Sequence, residues 1–320
     1  MSIGIIGESL IDMIPLDNGT LQPLVGGSPF NVARAVGRLQ SPSVYLSPLS
    51  KDRFGDLLCE TLVHDNVQIS SSTRSSKPTS LAVVSKNKAG QPAYSLYREG
   101  VADRDFSVEA ILARMPHDLT VIHTGSLAIV PADIEKIRQI LLNARERGIT
   151  VSVDINTRPG VVDNTQNYIN AVKSIIPLCD IIKASDEDLE FLGLKGSPEQ
   201  LCEQLMLAMN GGVSAVTLGS EGAIAFNGSD FVRHPGFKLD QITDTVGAGD
   251  CFQAGILTSL YESGYLNPTA LQALPESKIA EALHQGCACA ALNVMRQGCN
   301  PPTKEELITF LNTVSPLTSN

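Results

Sequence analysis

The sequence predicts an α/β protein: a three-layer core in which a mostly parallel sheet lies between helices, with a small second sheet attached. Three observations carry this reading. Short apolar runs alternate with helical patterns along the chain, at 3–7 (IGIIG), 44–49 (VYLSPL), 119–125 (LTVIHTG), 149–155 (ITVSVDI), 179–185 (CDIIKAS) and 213–219 (VSAVTLG). Residues 131–148 place Ile134, Ile137, Leu141 and Ala144 on one helical face, with Gly148 where a helix C-terminus takes glycine, which completes a β-α-β unit. Residues 79–98 break the rhythm, because two strand patterns meet there at the polar turn KNKAGQ with no helix between them. Such a hairpin projects a small sheet that can close over a pocket, and the segment 13–27 reads similarly and can pair with it. There is no repeat and no long linker, so one domain is expected over 1–320, with lid segments near 13–25 and 79–102. The tail SPLTSN is expected to fray.

Composition narrows the function. A chain of 320 residues with 43% hydrophobic content can bury about three quarters of its unfolded surface. The net charge of −10 repels phosphate backbones, so nucleic acid is disfavoured as a partner. No window reaches the roughly 18 apolar residues of a membrane span, and the N-terminus has no basic leader region, so a cytoplasmic protein without a membrane partner is expected. The seven cysteines are odd in number and form no C-x-x-C pair, so reduced, buried thiols are the expectation.

Taken along the chain, the first chemically suggestive stretch is GGSPFNVARAVGRL (26–39). Ser28 and Pro29 suit the N-cap and first positions of a helix, and Val32, Ala35, Val36 and Leu39 form its apolar stripe. Asn31 lies off that stripe, where an Asn is ordinarily just solvated. Gly26 and Gly27 nevertheless permit close backbone approach, and Asp12 sits at the end of the first strand pattern, where open α/β sheets bind ligands. Asp12 and Asn31 can therefore share a pocket, and a carboxylate with an amide suits the several hydroxyls of a sugar. A plain exposed loop acid is the other reading of Asp12.

DINTRP (154–159) follows a core strand and offers Asp154, Asn156 and Arg158; a guanidinium there contacts phosphate oxygens or pairs with a surface acid. Lys183 follows the next strand in the same way. Its followers Asp186, Glu187 and Asp188 open a helix, or support a hydrated Mg²⁺. TLGSEGA (217–223) is a glycine turn that suits either a nucleotide or a simple hairpin. Last comes ITDTVGAGDCF (242–252). Gly247, Ala248 and Gly249 bare the backbone amides at the start of a buried helix, an anion-binding arrangement, and Asp250 stands beside them. Capping its own helix would explain a lone Asp. Capping needs no glycines, whereas amides for a phosphoryl group and a carboxylate for a hydroxyl proton are what phosphoryl transfer requires. A Walker P-loop, an early dinucleotide fingerprint and the protein-kinase motifs are all absent from the sequence.

GGSPFNVARAVGRL, DINTRP, KASDED, TLGSEG and DTVGAGD, in that order through nearly the whole chain, resemble the ribokinase-like (phosphofructokinase B) sugar kinases. The resemblance implies an α/β core with a β-sheet lid, ATP and Mg²⁺ as cosubstrates, and phosphorylation of a sugar hydroxymethyl group. It makes Asp250 the base and Gly247, Ala248 and Gly249 the anion hole, and gives the sugar to Asp12, Gly26, Gly27, Asn31, Arg98 and Asp250. It gives the nucleotide and its phosphates to Arg158, Lys183, Ser185, Thr217, Gly219, Gly222, Gly249 and Asn293. The family's N-x-x-E motif is here Ser185 to Asp188, which leaves Asp188 to reach a metal through water. That Ser and the lid stretch YREGVAD (97–103) resemble the fructokinase-like branch, which makes fructose the expected acceptor. The alternatives are a 2-keto-3-deoxygluconate or nucleoside kinase, and a sugar-binding regulator without catalysis. Potassium bound by carbonyls around Asp244 and Val246 stays open. A homodimer joined through the lid is expected, and Asp250 is expected to have an ordinary carboxylate pKa, about 3.9.

Overall fold

The computed structural model describes residues 1–16, 18–71, 73–86, 92–209 and 211–317. Its strands are β1 (Ser2–Ile5), β2 (Leu10–Pro15), β3 (Leu21–Gly26), β4 (Ser43–Tyr45), β5 (Val67–Ile69), β6 (Ser80–Lys86), β7 (Pro92–Tyr97), β8 (Leu119–Gly125), β9 (Thr150–Asp154), β10 (Ile181–Ser185), β11 (Val213–Thr217), β12 (Ala223–Phe226) and β13 (Phe231–His234). Its helices are α1 (Ser28–Arg38), α2 (Arg53–His64), α3 (Val108–Leu112), α4 (Ile134–Glu146), α5 (Thr165–Ile175), α6 (Asp186–Phe191), α7 (Pro198–Ala208), α8 (Ala248–Glu262), α9 (Pro268–Gln272), α10 (Glu276–Val294) and α11 (Lys304–Thr313).

One sheet runs β13-β12-β11-β10-β9-β8-β1-β4-β5 and is parallel except where β12 pairs with β11 and β13. Its central strands read as continuous apolar runs because helices cover both faces. Successive side chains point to opposite layers. Ile181 therefore joins the layer built with α1, α8 and α10, and Ile182 joins the layer built with α4, α5 and α7. The alternating pattern of the sequence and its α4 stripe are thus realised, and Gly148 closes α4 at φ +71°. Within the first of these layers α8 and α10 pack tightly, and a Cβ on Gly255 would lie 2.7 Å from the Gly286 Cα. Among the described residues no helix is long and apolar enough to cross a membrane.

The second sheet runs β3-β2-β6-β7, two hairpins joined by the parallel pair β2–β6. It contains both predicted lid segments. Residues 87–91 of the predicted polar turn, and 318–320 of the predicted frayed tail, lie outside the described residues. Three local expectations change. Asp12 is not at the end of the first core strand, which stops at Ile5, but inside β2 of the small sheet. Ser28 does not cap α1: Gly27, at φ +107°, is the N-cap and Ser28 is the first helical residue. TLGSEGA does not lead into a helix but forms a hairpin, with a short 3-10 turn at Gly219–Glu221 joining antiparallel β11 and β12.

Candidate active site

The chain reaches the start of α8 through Gly247, which is left-handed at φ +77° and ψ +3°. A side chain there would strike the Cys299 Sγ, at 2.3 Å from the position a Cβ would take. Only glycine fits this turn. The first-turn amides that follow have no partners inside the helix, and with the helix dipole they make a positive end. Beneath them lies Lys183, which does not follow β10 as expected but is buried at its centre, with its ammonium 3.1 Å from each carboxylate oxygen of Asp154 at the end of β9. A Cβ on Gly249 would sit 2.8 Å from that ammonium, so Gly249 is small because a buried ion pair passes under it. Burial disfavours the charge of Lys183, yet the neighbouring Asp154, Asp188 and Asp250 outweigh it and raise its pKa.

Asp250, in the first turn of α8, does not cap its own helix. One oxygen accepts from the Ser28 hydroxyl at 2.7 Å and the other from the Asn31 amide at 2.8 Å. The Asn156 amide donates to the Ser28 hydroxyl at 3.0 Å and stands 3.5 Å from Asp250. Asn156 holds this position at φ +39°, unusual for a residue with a side chain. Burial raises the Asp250 pKa against the two hydrogen bonds and the charges of Arg158 and Lys183. The expectation of an ordinary carboxylate is thereby corrected: full desolvation makes this one a stronger base.

Asp12 is half-buried on β2, and burial lifts its pKa to about 6 against the charge of Arg158. Gly26 on the neighbouring strand leaves room for it, since a Cβ there would fall 2.2 Å from the Asp12 carboxylate. Gly27 then leads into α1, so Asp12 and the buried Asn31 are tied through one short segment. Arg158 is exposed, and its charge bears on Asp12 and Asp250 alike.

The other predicted site residues have partners or places within the scaffold. Arg98 does not lie open to a substrate: its guanidinium is buried, donating to Asp103 at 2.9 Å and to the Leu127 carbonyl at 3.0 Å. Asn293 is fully buried, donating to the Val246 carbonyl at 2.8 Å and accepting from the Asn300 N–H at 2.9 Å, so it shapes the turn before α8 and presents no face to a nucleotide. Ser185 and Asp188 form a capping box on α6. The remaining Asp188 oxygen accepts from both the amide and the hydroxyl of Thr157, at 2.6 and 2.7 Å. Thr217 is half-buried, with its hydroxyl 3.4 Å from the Ala184 carbonyl, and Gly219 and Gly222 flank the β11–β12 turn. Among the described residues no group of three or more His, Cys, Asp or Glu side chains is placed to hold a metal ion. Sequence reasoning took Ser28 for a cap and gave Asn156 no role. A polar residue directly after two glycines and an Asn directly after a buried strand were the available signals.

A desolvated carboxylate at a helix N-terminus, with a buried cation under the same turn and polar side chains converging from α1, defines a phosphotransferase acting on a hydroxyl. The chain belongs to the pfkB family of carbohydrate kinases, whose model matches residues 2–306. It is 33% identical over 277 residues to a fructokinase of Rhizobium leguminosarum bv. trifolii, covering 85% of this chain and 84% of that one. A crystal structure of fructokinase with bound ATP from Xylella fastidiosa superposes with a TM-score of 0.86 at 27% identity, over 97% of this chain and 98% of that one. The Vibrio cholerae fructokinase in its fructose-, ADP- and calcium-bound form gives 0.80 at 25% identity, over 97% and 99%. A double mutant of the latter enzyme was solved with fructose, ADP and a potassium ion. The fold is accordingly ribokinase-like, a large mostly parallel sheet with a smaller sheet beside it.

Proposed function

We propose that this protein phosphorylates a hydroxymethyl group of fructose with ATP. The observation that carries the reading is Asp250, held by Ser28 and Asn31 away from its own helix, in a chain one third identical to a fructokinase. The whole chain works as one kinase unit, and the small sheet serves as its lid. On closure Asp12, Gly26, Gly27 and Asn31 hold the sugar hydroxyls, and the reacting hydroxymethyl group takes the place of the Ser28 hydroxyl against Asp250. Asp250 accepts its proton while the amides of Gly247, Ala248 and Gly249 hold the transferring phosphoryl group, and ADP departs. Lys183 lends that turn a fixed positive charge from below, and Arg158, at the rim, meets phosphate oxygens. Little covalent work falls to the protein, because positioning and charge stabilisation dominate phosphoryl transfer.

The donor set does not fit a protein-held metal, so Mg²⁺ enters as the companion of the ATP phosphates, which suits an ion that keeps its water and phosphate ligands. Potassium near the turn before α8 is supported only by carbonyls, of which that of Val246 already accepts from Asn293. We place the protein in the cytoplasm as a homodimer joined through the small sheet. Its outer strands β3 and β7 carry Leu21, 43% exposed, and Tyr97, 61% exposed, and edge pairing would cover them. Neither nucleic acid nor membrane is a partner.

An ADP-release assay across sugars tests the reading. One ketose, fructose, is expected to give the highest kcat/KM. High turnover on 2-keto-3-deoxygluconate or a nucleoside would move the assignment within the family, and sugar binding without ADP would make the protein a regulator.

A further inference from the structure

The chain passes between the two sheets four times, and each passage carries a buried polar residue that the proposed chemistry does not use directly. Glu8 lies on the way from β1 to β2, Ser28 follows β3, Ser80 opens β6, and Arg98 with Asp103 follows β7. All five are at most 9% exposed. Buried polar groups are expensive unless paired, so five of them at four crossings require a reason. They are joined to one another. The Ser80 hydroxyl donates to Asp103, Asp103 accepts from Arg98 at 2.9 Å, and Arg98 donates to the Leu127 carbonyl at 3.0 Å. The Leu127 N–H reaches one Glu8 oxygen at 3.4 Å, and the Ser28 N–H reaches the same oxygen at 3.2 Å. The Ser28 hydroxyl then donates to Asp250. The other Glu8 oxygen and the Arg98 Nε have no protein partner, and both residues line one cavity at the crossings.

We infer that Glu8, Ser80, Arg98 and Asp103 are positioning residues, a buried hinge that sets the small sheet relative to Asp250 through the backbone of Ser28. The inference rests on the kinase reading and adds residues that touch no substrate. Ser80–Asp103 and Ser28–Glu8 each join two crossings and Leu127 ties the two pairs together, so a displacement of the small sheet reaches the backbone at Ser28, and hence the placing of the sugar-holding residues over Asp250, without crossing apolar core. A merely structural network would support folding and leave turnover per folded molecule unchanged.

The test measures sugar phosphate and ADP separately in the intact chain with fructose and ATP, alongside melting temperature, for wild type, Ser80→Ala, Glu8→Ala and Glu8→Gln. Wild-type turnover judges the kinase reading independently; only the variants judge the hinge. Ser80→Ala, remote from the reacting atoms and a small truncation, is expected to melt near the wild type yet lose about 10- to 100-fold in kcat, the scale of a misplacement of about 1 Å. Its ADP yield per sugar phosphate should rise above one, because a misaligned lid admits water as the acceptor and gives ADP and inorganic phosphate. Glu8→Ala should behave alike, and Glu8→Gln, which keeps an acceptor oxygen for Ser28 and Leu127, should recover most of kcat. Wild-type kcat and one ADP per sugar phosphate in Ser80→Ala overturn the inference, even if Glu8→Ala fails to fold. A Glu8→Gln protein that folds but is as slow as Glu8→Ala overturns it as well.

Discussion

Two helices begin in the same way and do different work. Both α1 and α8 follow a glycine N-cap of positive φ, Gly27 at +107° and Gly247 at +77°. At α1 the first amide is already taken, since the Ser28 N–H donates to Glu8, and what that helix offers the site is the side chains of Ser28 and Asn31. At α8 the side chain is the acid those two residues hold, and the turn before it rests on the Lys183–Asp154 pair. A glycine-rich entry to a helix is therefore not by itself an anion site. What matters is which charge lies beneath the turn, since the first amide of α8 is engaged too, the Ala248 N–H donating to the Thr245 carbonyl at 3.2 Å.

The comparison breaks most completely at Asp250. Asp250→Asn should lower kcat by ~10²–10⁴ while the sugar dissociation constant changes far less; unchanged turnover in an ADP-release assay would refute its role as the base. Gly249→Ala comes next. Its Cβ would lie 2.8 Å from the Lys183 ammonium, forcing the pair with Asp154 apart or the turn outward. A loss of about 10²-fold in kcat is expected, as for removal of one oxyanion donor, and a crystal structure of the variant should show the displaced turn.

A pH profile sharpens the contrast between the two carboxylates. Burial holds the Asp12 pKa at about 6, above the usual aspartate value, so Asp12 is ionised above that pH and protonated below it. Fructose kcat/KM should accordingly fall as pH drops through about 6, and Asp12→Asn should abolish that limb along with much of the sugar affinity. The smallest effect belongs to Ser28→Ala, with a few-fold loss in kcat/KM, of order 1 kcal/mol for a hydrogen bond that the sugar hydroxymethyl group replaces in the working complex. The Ser28 hydroxyl lowers the Asp250 pKa in the free enzyme, so its removal should shift the acid limb of kcat/KM upward. A downward shift would contradict the contact.

How much of this was legible in the sequence follows from physical range. The alternating apolar runs, the α4 stripe and the 79–98 hairpin are local patterns, and they appear in the fold where the periodicity places them. GAGD was legible because glycines before an acid permit a left-handed turn and leave the backbone amides bare. Arg98, Asn293 and Asp188 were not, because a charged or amide residue at the end of an element is equally suited to a ligand and to a neighbouring turn. Only tertiary packing showed that Asp103, the Val246 carbonyl and Thr157 claim them. Asp12 was displaced for a related reason: β1 and β2 belong to different sheets, and the short interruption Gly7-Glu8-Ser9 between them carries no local sign of that change.

The direct backbone contact of α8 with α10 at Gly255 and Gly286 has a consequence for how such a protein changes its diet. A helix with no lateral slack is an anvil, and the acid it carries stays put whichever acceptor arrives. Retailoring toward another sugar would then proceed by editing β2, β3, β6 and β7, while a single methyl group added at Gly255 would disturb the response to every sugar at once.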